Sequence, residues 1–385
     1  MIKQLQINNF RNYKDVRLVI PETDHNVIVL YGNNGEGKTN ILEAISLFSE
    51  MGGLRRARYD EIINRCSSDD SWSVVLHTED CDFFTGYTRQ SGKRVYKING
   101  APARNTAEFL KNHCILWLTY EMDRLFLRSP ADRRDFIDMF GAVYSRQHAN
   151  NVRNYEKLSK QRLKILKNYV TSPRNKDVEK WLDILEGQIA DFGIKIAKTR
   201  IQTVEKLEAH QINDGFPAFK NEMTGLLETS ILSEGEPLQI EAYLKELRDR
   251  RERDGFAGST TMGPNKSDWK VLYVEKNIDA SMCSAGEQKM LLSGVFLSFV
   301  SSHLRNDERR LMILLDDIVT HLDAEHRTLL FSRIRDFMRK HVDRVSVWLS
   351  GTSKELFSEL KEDAVFFRVH DGLLEEVNYE SKIYG

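Results

Sequence analysis

Two hydrophobic patterns divide the 385 residues. Up to about residue 140, and again from Thr261, short apolar runs of strand length are separated by turn residues; between them apolar positions recur at helical spacing. Leu5 to Phe10 and Val16 to Ile20 read as two strands joined by Arg11-Asn12-Tyr13-Lys14, and Val27-Ile28-Val29-Leu30-Tyr31 as a buried strand. Trp72 to Leu76, Phe83 to Thr88 and Arg94 to Ile98 have the composition of a meander, with Ser91-Gly92-Lys93 as a hairpin turn. Cys114 to Leu118 is another buried strand, and Ser129-Pro130-Ala131-Asp132 opens a helix with serine as its cap and proline in its first turn. Further on, Lys270 to Glu275, Leu311 to Leu315 and Val345 to Leu349 read as strands and Ser284 to Leu304 as a helix. The pattern predicts an α/β protein in three stretches: 1–140, a helical segment over 141–255, and 256–385.

The strand at Val27 runs straight into Gly32-Asn33-Asn34-Gly35-Glu36-Gly37-Lys38-Thr39, a match to the phosphate-binding pattern G-x-x-x-x-G-K-[ST], and Ile41 to Ile45 reads as the helix leaving it. Gly32, Gly35 and Gly37 allow backbone angles that turn consecutive N–H groups inward around phosphate oxygens, and the helix adds the positive end of its dipole. In this role Lys38 reaches the β- and γ-phosphates of ATP and Thr39 offers its hydroxyl to Mg²⁺. The strand at Leu311 ends in Asp316-Asp317. An apolar strand followed by an acid is how P-loop ATPases hold Mg²⁺ from its far side, and a second acid orients or deprotonates the attacking water. A strand merely entering a loop gives the same two acids, so this assignment leans on the phosphate loop in the same chain.

The helical segment carries a charge signal of its own. Between Arg146 and Val170 stand seven cations, Arg146, Arg153, Lys157, Lys160, Arg162, Lys164 and Lys167, against one acid, Glu156. All but Arg162 are spaced 7, 4, 3, 4 and 3, which places six on one helical face, with Val152, Tyr155, Leu158, Leu163, Ile165, Leu166 and Tyr169 opposite. Such a stripe suits contact with a phosphate backbone, through Lys157, Lys160, Lys164 and Lys167 above all; it equally suits a solvated charged face. The run Leu247 to Asp254 is mixed in sign and reads as a helix end with intrahelical ion pairs. Leu54-Arg55-Arg56-Ala57-Arg58 reads as a basic loop, solvated or touching nucleic acid.

Composition narrows the classes further. Hydrophobic content of 41% with 29% charged residues is that of a soluble globular protein, and no apolar run approaches membrane-span length. Met1-Ile2-Lys3-Gln4 leads into strand-like sequence without a signal peptide, so a cytoplasmic location is expected, with no membrane partner. Cys66, Cys81, Cys114 and Cys283 lie far apart and suggest reduced thiols, mostly in cores. A net charge of −1 makes any basic surface a local one.

Cys283-Ser284-Ala285-Gly286-Glu287-Gln288, beginning a helix about thirty residues before the Asp316 strand, resembles the signature motif of the ABC-type ATPases. Ser284 and Glu287 also fit an ordinary capping box. His321-Leu322-Asp323 looks like the D-loop, and Ser350-Gly351-Thr352 occupies the switch position without the histidine of transporters, as in the DNA-repair branch. Within that branch the chain resembles the RecF family nearly end to end. The likeness runs through Asn9-Phe10-Arg11-Asn12-Tyr13, the phosphate loop continuing Asn40-Ile41-Leu42-Glu43-Ala44-Ile45, Gly53-Leu54-Arg55-Arg56-Ala57, Leu116-Trp117-Leu118-Thr119, Met122-Asp123-Arg124-Leu125-Phe126, Arg133-Arg134-Asp135-Phe136-Ile137-Asp138 and Gly263-Pro264. Three places depart from it. Tyr120-Glu121 stands near the expected Q-loop where relatives often have Pro-Gln, Asn265-Lys266 where they often have His-Arg, and Asp135 where arginine is common.

The resemblance implies an ABC-type P-loop ATPase head assembled from both chain ends, with an inserted α-helical arm. It implies a homodimer closing head to tail on ATP and Mg²⁺, with Ser284, Gly286 and Gln288 acting in trans, Asp323 in the D-loop and Arg11 and Asn12 bordering the nucleotide. The implied activity is weak, DNA-stimulated ATP hydrolysis that releases single-stranded and gapped duplex DNA, with RecR, RecO and RecA as partners and a part in the SOS response. Two alternatives stand beside it. One is an ABC-type defence ATPase, which would need a separate nuclease because only Ser353 to Gly385 follow the switch strand. The other is a DNA-binding scaffold with a vestigial site. The interval between Thr39 and Ser284 is too short for the coiled coil of SMC proteins.

Overall fold

The computed structural model describes residues 1–21, 26–169, 175–225, 227 and 235–379. The strands and helices, in chain order, are β1 (Ile2–Phe10), β2 (Tyr13–Val19), β3 (Val27–Tyr31), α1 (Lys38–Ser46), α2 (Tyr59–Ile62), β4 (Ser71–Thr78), β5 (Asp82–Thr88), β6 (Lys93–Ile98), β7 (Ala101–Ala103), α3 (Ala107–Asn112) and β8 (His113–Thr119). Then come α4 (Pro130–Tyr144), α5 (His148–Tyr169), α6 (Lys176–Ala209), β9 (Phe219–Thr224), α7 (Glu236–Asp249), α8 (Arg251–Ala257), β10 (Asp268–Tyr273), β11 (Ile278–Asp279) and α9 (Ala285–Asn306). The chain closes with β12 (Arg310–Asp316), α10 (Ala324–Lys340), β13 (Val345–Gly351), β14 (Ala364–His370) and β15 (Leu373–Val377).

Two compact units result, one from Met1–Asp123 and His303–Gly385, the other from Arg124–Ser302. These boundaries differ from the expected ones at 140 and 255. α4 packs on α6 and β10, and the stretch 256–302 groups with the helical segment instead of with the C-terminal strands.

The first unit, the head, holds two six-stranded sheets. One is antiparallel in the order β2-β1-β4-β5-β6-β7; the other runs β15-β14-β3-β13-β12-β8 and is parallel except for β15 at its edge. β3 and β8 come from the N-terminal part of the chain and β12 to β15 from the C-terminal part, so neither end can form this sheet alone. The buried strands read as unbroken apolar runs because parallel strands are covered on both faces: every residue of β3, β8 and β13 is buried. Register brings Asp316 beside Thr119, Leu315 beside Leu349 and Ser350 beside Leu30, which gathers the carboxyl ends of β3, β13, β12 and β8 at one edge. That edge is where open α/β sheets bind ligands.

The second unit, the arm, is mainly α4 to α9 with a small sheet, β11-β10-β9. β9 lies where helix alone was expected. Lys220, Asn221 and Glu222 make it polar, and it forms an edge strand whose partner β10 lies some 45 residues further on. Ser129 caps α4 by a reciprocal capping box with Asp132, as the sequence predicts for Ser-Pro-Ala-Asp. Arg162, the cation out of step with the stripe, is fully buried. Its Nε donates to Glu186 at 2.8 Å, its Nη1 to Asp254 at 2.5 Å and its Nη2 to the Leu247 carbonyl at 2.6 Å. Only part of the 247–254 run pairs within its own helix, Arg250 with Glu246. Arg248 and Arg251 reach across to Asp183, Arg251 also to Glu186, so the mixed run clasps α6 where intrahelical pairing was expected. No described helix is long and apolar enough to cross a membrane.

Candidate functional site

The loop between β3 and α1 is built around close backbone approaches. Gly37 has φ +110°, and a Cβ there would lie 2.5 Å from Asn12 Nδ2 and 2.7 Å from the Tyr13 hydroxyl oxygen. A Cβ on Gly32 would lie 2.2 Å from the Val369 carbonyl oxygen. Only glycine meets both demands. Asn12 Nδ2 donates to the Glu36 carbonyl at 2.9 Å, Asn40 Nδ2 to Asn12 Oδ1 at 2.7 Å, and the Asp371 amide to Glu36 Oε2 at 2.8 Å, which fixes the loop from its flank.

Lys38 is buried, and its Nζ spans the loop to the carbonyls of Gly32 at 2.7 Å and Asn33 at 2.8 Å. Burial pushes its ammonium below the ordinary lysine range, and Asp317, Asp316 and Glu36 pull it back. Opposite it, Asp316 Oδ1 accepts from Thr39 Oγ1 at 2.9 Å and from Ser350 Oγ at 2.7 Å. Burial raises this carboxyl above its usual range, and the Ser350 and Thr39 hydroxyls and Arg55 counter it. The donor set fits Mg²⁺: a hydroxyl and a buried carboxylate at the mouth of a phosphate loop are hard oxygen ligands, and a divalent charge offsets the desolvation of Asp316.

Asp317 is half-buried with φ +55°, a left-handed conformation that aspartate tolerates better than most residues. Its amide donates to Ser350 Oγ at 2.9 Å and its Oδ1 accepts from Thr320 Oγ1. Ser350 thus ties both acids to the end of β13. Arg11 Nε and Nη2 grip Glu43 of α1 at 2.9 and 2.6 Å; Arg55 joins at 2.9 Å. Asn12 therefore touches the loop itself, while Arg11 supports it through α1. The sequence reading gave Glu43, Arg55 and Thr320 no role at the site. The one signal was a lone acid, Glu43, inside an apolar helix. Tyr120 and Glu121 follow β8 directly and are exposed beside the end of β12.

The signature residues lie in the arm. Ser284, Ala285 and Gly286 are exposed where α9 begins, but Gln288 is turned inward, its Nε2 donating to the Cys283 carbonyl at 2.9 Å. The capping box exists: Ser284 N and Oγ each donate to Glu287 Oε2 at 2.8 Å, and Lys276 holds the other carboxylate oxygen. Those bonds hold the Glu287 carboxyl down at about 2, the Lys276 pair contributing most. Asp323 caps α10 by accepting from the His326 amide at 2.9 Å. Arg146, in the turn before α5, and Arg153, Lys157, Lys160, Lys164 and Lys167 on α5 are all exposed; the helix begins at His148, after the first cation of the expected stripe. Arg58 pairs with Asp60 in the basic loop.

The four cysteines are free thiols; Cys114 and Cys283 are buried, but Cys66 is exposed and Cys81 partly so, against the expectation that most would be in cores. Cys114, His303 and Asp307 gather near the end of α9. There Asp307 already binds a cation, Arg309, whose Nε and Nη2 reach its Oδ2 at 2.9 and 2.5 Å.

Comparison with known proteins bears on the fold and the family. The family model described as the RecF/RecN/SMC N terminal domain matches residues 1–359. The chain is 33% identical to the DNA replication and repair protein RecF of Brucella suis, covering 97% of this chain and 95% of that one. With RecF of Rickettsia akari identity is 34%, over 92% and 95%. Among solved structures, the recombination mediator protein RecF-ATPrS in the RecFOR pathway superposes with TM-score 0.79 at 23% identity, covering 98% of both chains. The Smc head domain of Pyrococcus furiosus gives TM-score 0.50 at 17% identity, over 98% of this chain and 95% of that one. The head is thus the ATPase fold that RecF and SMC proteins share, and the chain belongs to the RecF family.

Proposed function

We propose that the chain is an ATP-dependent DNA clamp of recombinational repair and replication-fork recovery, using slow ATP hydrolysis as a timer for release. The observation that carries this is the joined set Lys38, Thr39, Asp316, Asp317 and Ser350, assembled from both chain ends with every expected polar group present. Lys38 exchanges its two loop carbonyls for the β- and γ-phosphates, which the inward N–H groups of residues 32–39 also hold. Thr39 and Asp316 hold Mg²⁺, which when bound screens the charge of the phosphates. Asp317, oriented by Thr320 and by its bond to Ser350, positions the attacking water. Ser284 and Gly286, exposed at the start of α9, reach the nucleotide of a second protomer and make it the bridge of a homodimer. Gln288 acts in this motif by fixing the Cys283 turn.

Lys157, Lys160, Lys164 and Lys167 supply phosphate contacts for gapped duplex and single-stranded DNA. A relative named for the RecFOR pathway supports RecO and RecR as partners; RecA loading, a part in SOS induction and a cytoplasmic place complete the reading. The test is binding of gapped DNA by wild type and Asp317→Asn with ATP–Mg²⁺ or ADP. ATP-dependent binding that persists in Asp317→Asn and decays with turnover in wild type is expected. Equal binding with either nucleotide and without any makes the chain a scaffold instead.

A further inference from the structure

Four of the five tryptophans are at most 3% exposed, but Trp181 on α6 is 58% exposed, and Ile184, one turn on, is 66% exposed. Two large apolar side chains in water on neighbouring turns are unusual for a packed helix and mark a contact surface. The neighbouring face of α5 is cationic. α5 and α6 run antiparallel, as the Tyr169–Glu179 and Arg162–Glu186 bonds fix. A groove of about 520 Å³ between them is lined by Asn154, Lys157 and Leu158 from α5 and by Ile184, Gln188 and Asp191 from α6. A step of seven residues, about 10 Å of helix, keeps the same face. It carries Lys157 to Lys164 along α5 and Gln188 to Trp181 along α6, so the indole lies level with Lys164 and Lys167.

We propose that this face binds a single strand of nucleic acid, the lysines meeting its phosphates and Trp181 stacking on a base, with Ile184 extending the platform. Charge selects the class of partner: the exposed face of α5 carries five cations and Glu156, a match for a phosphate chain. The indole selects strandedness, because a single strand presents free base faces and a duplex keeps its own stacked. The inference rests on the reading that the arm contacts DNA, and adds to it where the single strand lies and which ring stacks on its bases.

Trp181 doubles as the reporter, since the other four indoles are buried. The experiment titrates oligo(dT) and blunt duplex into wild type, Trp181→Ala, Trp181→Phe and Lys164→Ala at several salt concentrations, reading anisotropy and tryptophan emission. Oligo(dT) saturably changes the emission of wild type but not of Trp181→Ala. Trp181→Ala weakens oligo(dT) binding about tenfold with the salt slope unchanged, and Trp181→Phe keeps most of the affinity. Lys164→Ala lowers the log–log slope by about 0.7. Duplex binding responds to Lys164→Ala and not to Trp181→Ala. If the lysine changes the slope while Trp181→Ala binds oligo(dT) like wild type, phosphate contact stands and stacking is overturned. An unchanged slope in Lys164→Ala overturns both. Normal oligo(dT) binding with loss of an ATP-dependent dimer in Trp181→Ala assigns the face to a second copy of the chain and likewise overturns the proposal.

Discussion

The phosphate loop and the α5–α6 hairpin both concentrate charge, by opposite means. At the loop, Lys38 and Asp316 are buried, each pushed by burial toward its neutral form and pulled back by neighbouring groups. The charge is stored where a phosphate and a cation can claim it. In α5 the cations are divided: five are exposed, and Arg162, in the same helix, is buried between Glu186 and Asp254. One residue type thus serves two purposes within a few turns, decided by which side of the helix it faces. A buried guanidinium with two carboxylates organises a helical bundle; an exposed ammonium leaves the fold nearly indifferent and is available to a ligand.

The comparison breaks first at Arg162. Arg162→Ala leaves Glu186 and Asp254 in the core and should destabilise the protein by about 3–5 kcal/mol, whereas Lys164→Ala should stay within about 0.5 kcal/mol. Denaturant unfolding of the two variants measures the difference, and similar midpoints would erase the distinction between the two sides of α5.

At the loop the matching experiment is kinetic. Lys38→Ala and Asp317→Asn should each lower ATP turnover by about 10²–10³-fold, the scale of losing one preorganised charge, with the melting temperature little changed. Single-turnover hydrolysis decides it, and near-normal rates would remove these residues from the chemistry.

Acid separates the two units next. In the head, burial holds His113 and His303 at about 4. A histidine depressed from its unfolded value near 6.5 stabilises the neutral fold above that pH, and its contribution, up to roughly 3 kcal/mol each, is lost as pH falls from about 6.5 to 4. In the arm, burial of Asp138 acts to raise its pKa, but Arg200 and His148 more than offset this and leave it well below the usual carboxylate range. Its contribution persists above about 4 and is lost only as pH falls through the native value. Hydrogen exchange after incubation at pH 5 should find head amides opening before those around α4 and α6. The reverse order would contradict the assignment.

The two regions also differ in how much of them the sequence disclosed. The phosphate loop was legible because its demands are local: strand, glycines, lysine, threonine and helix lie within twenty residues, and Asp316 ends an apolar run that only a covered parallel strand needs. The helical spacing from Arg146 to Lys167 likewise set six cations apart from the seventh. What made Arg162 different was not legible, since its partners lie 24 and 92 residues away. Sequence distance also hid β9, a polar edge strand, and the grip of Arg11 on Glu43, 32 residues on. Gln288 read as part of a ligand-facing motif, while helical spacing turns it into the core.

The central claim is that nucleotide joins two copies through Ser284. Sedimentation of wild type, Asp317→Asn and Ser284→Arg with ATP–Mg²⁺, with and without gapped DNA, tests it most directly. The account predicts an ATP-dependent dimer that persists in Asp317→Asn, is favoured by DNA and is abolished in Ser284→Arg. A protein that stays monomeric in every condition, or a Ser284→Arg variant that dimerises like wild type, would contradict it.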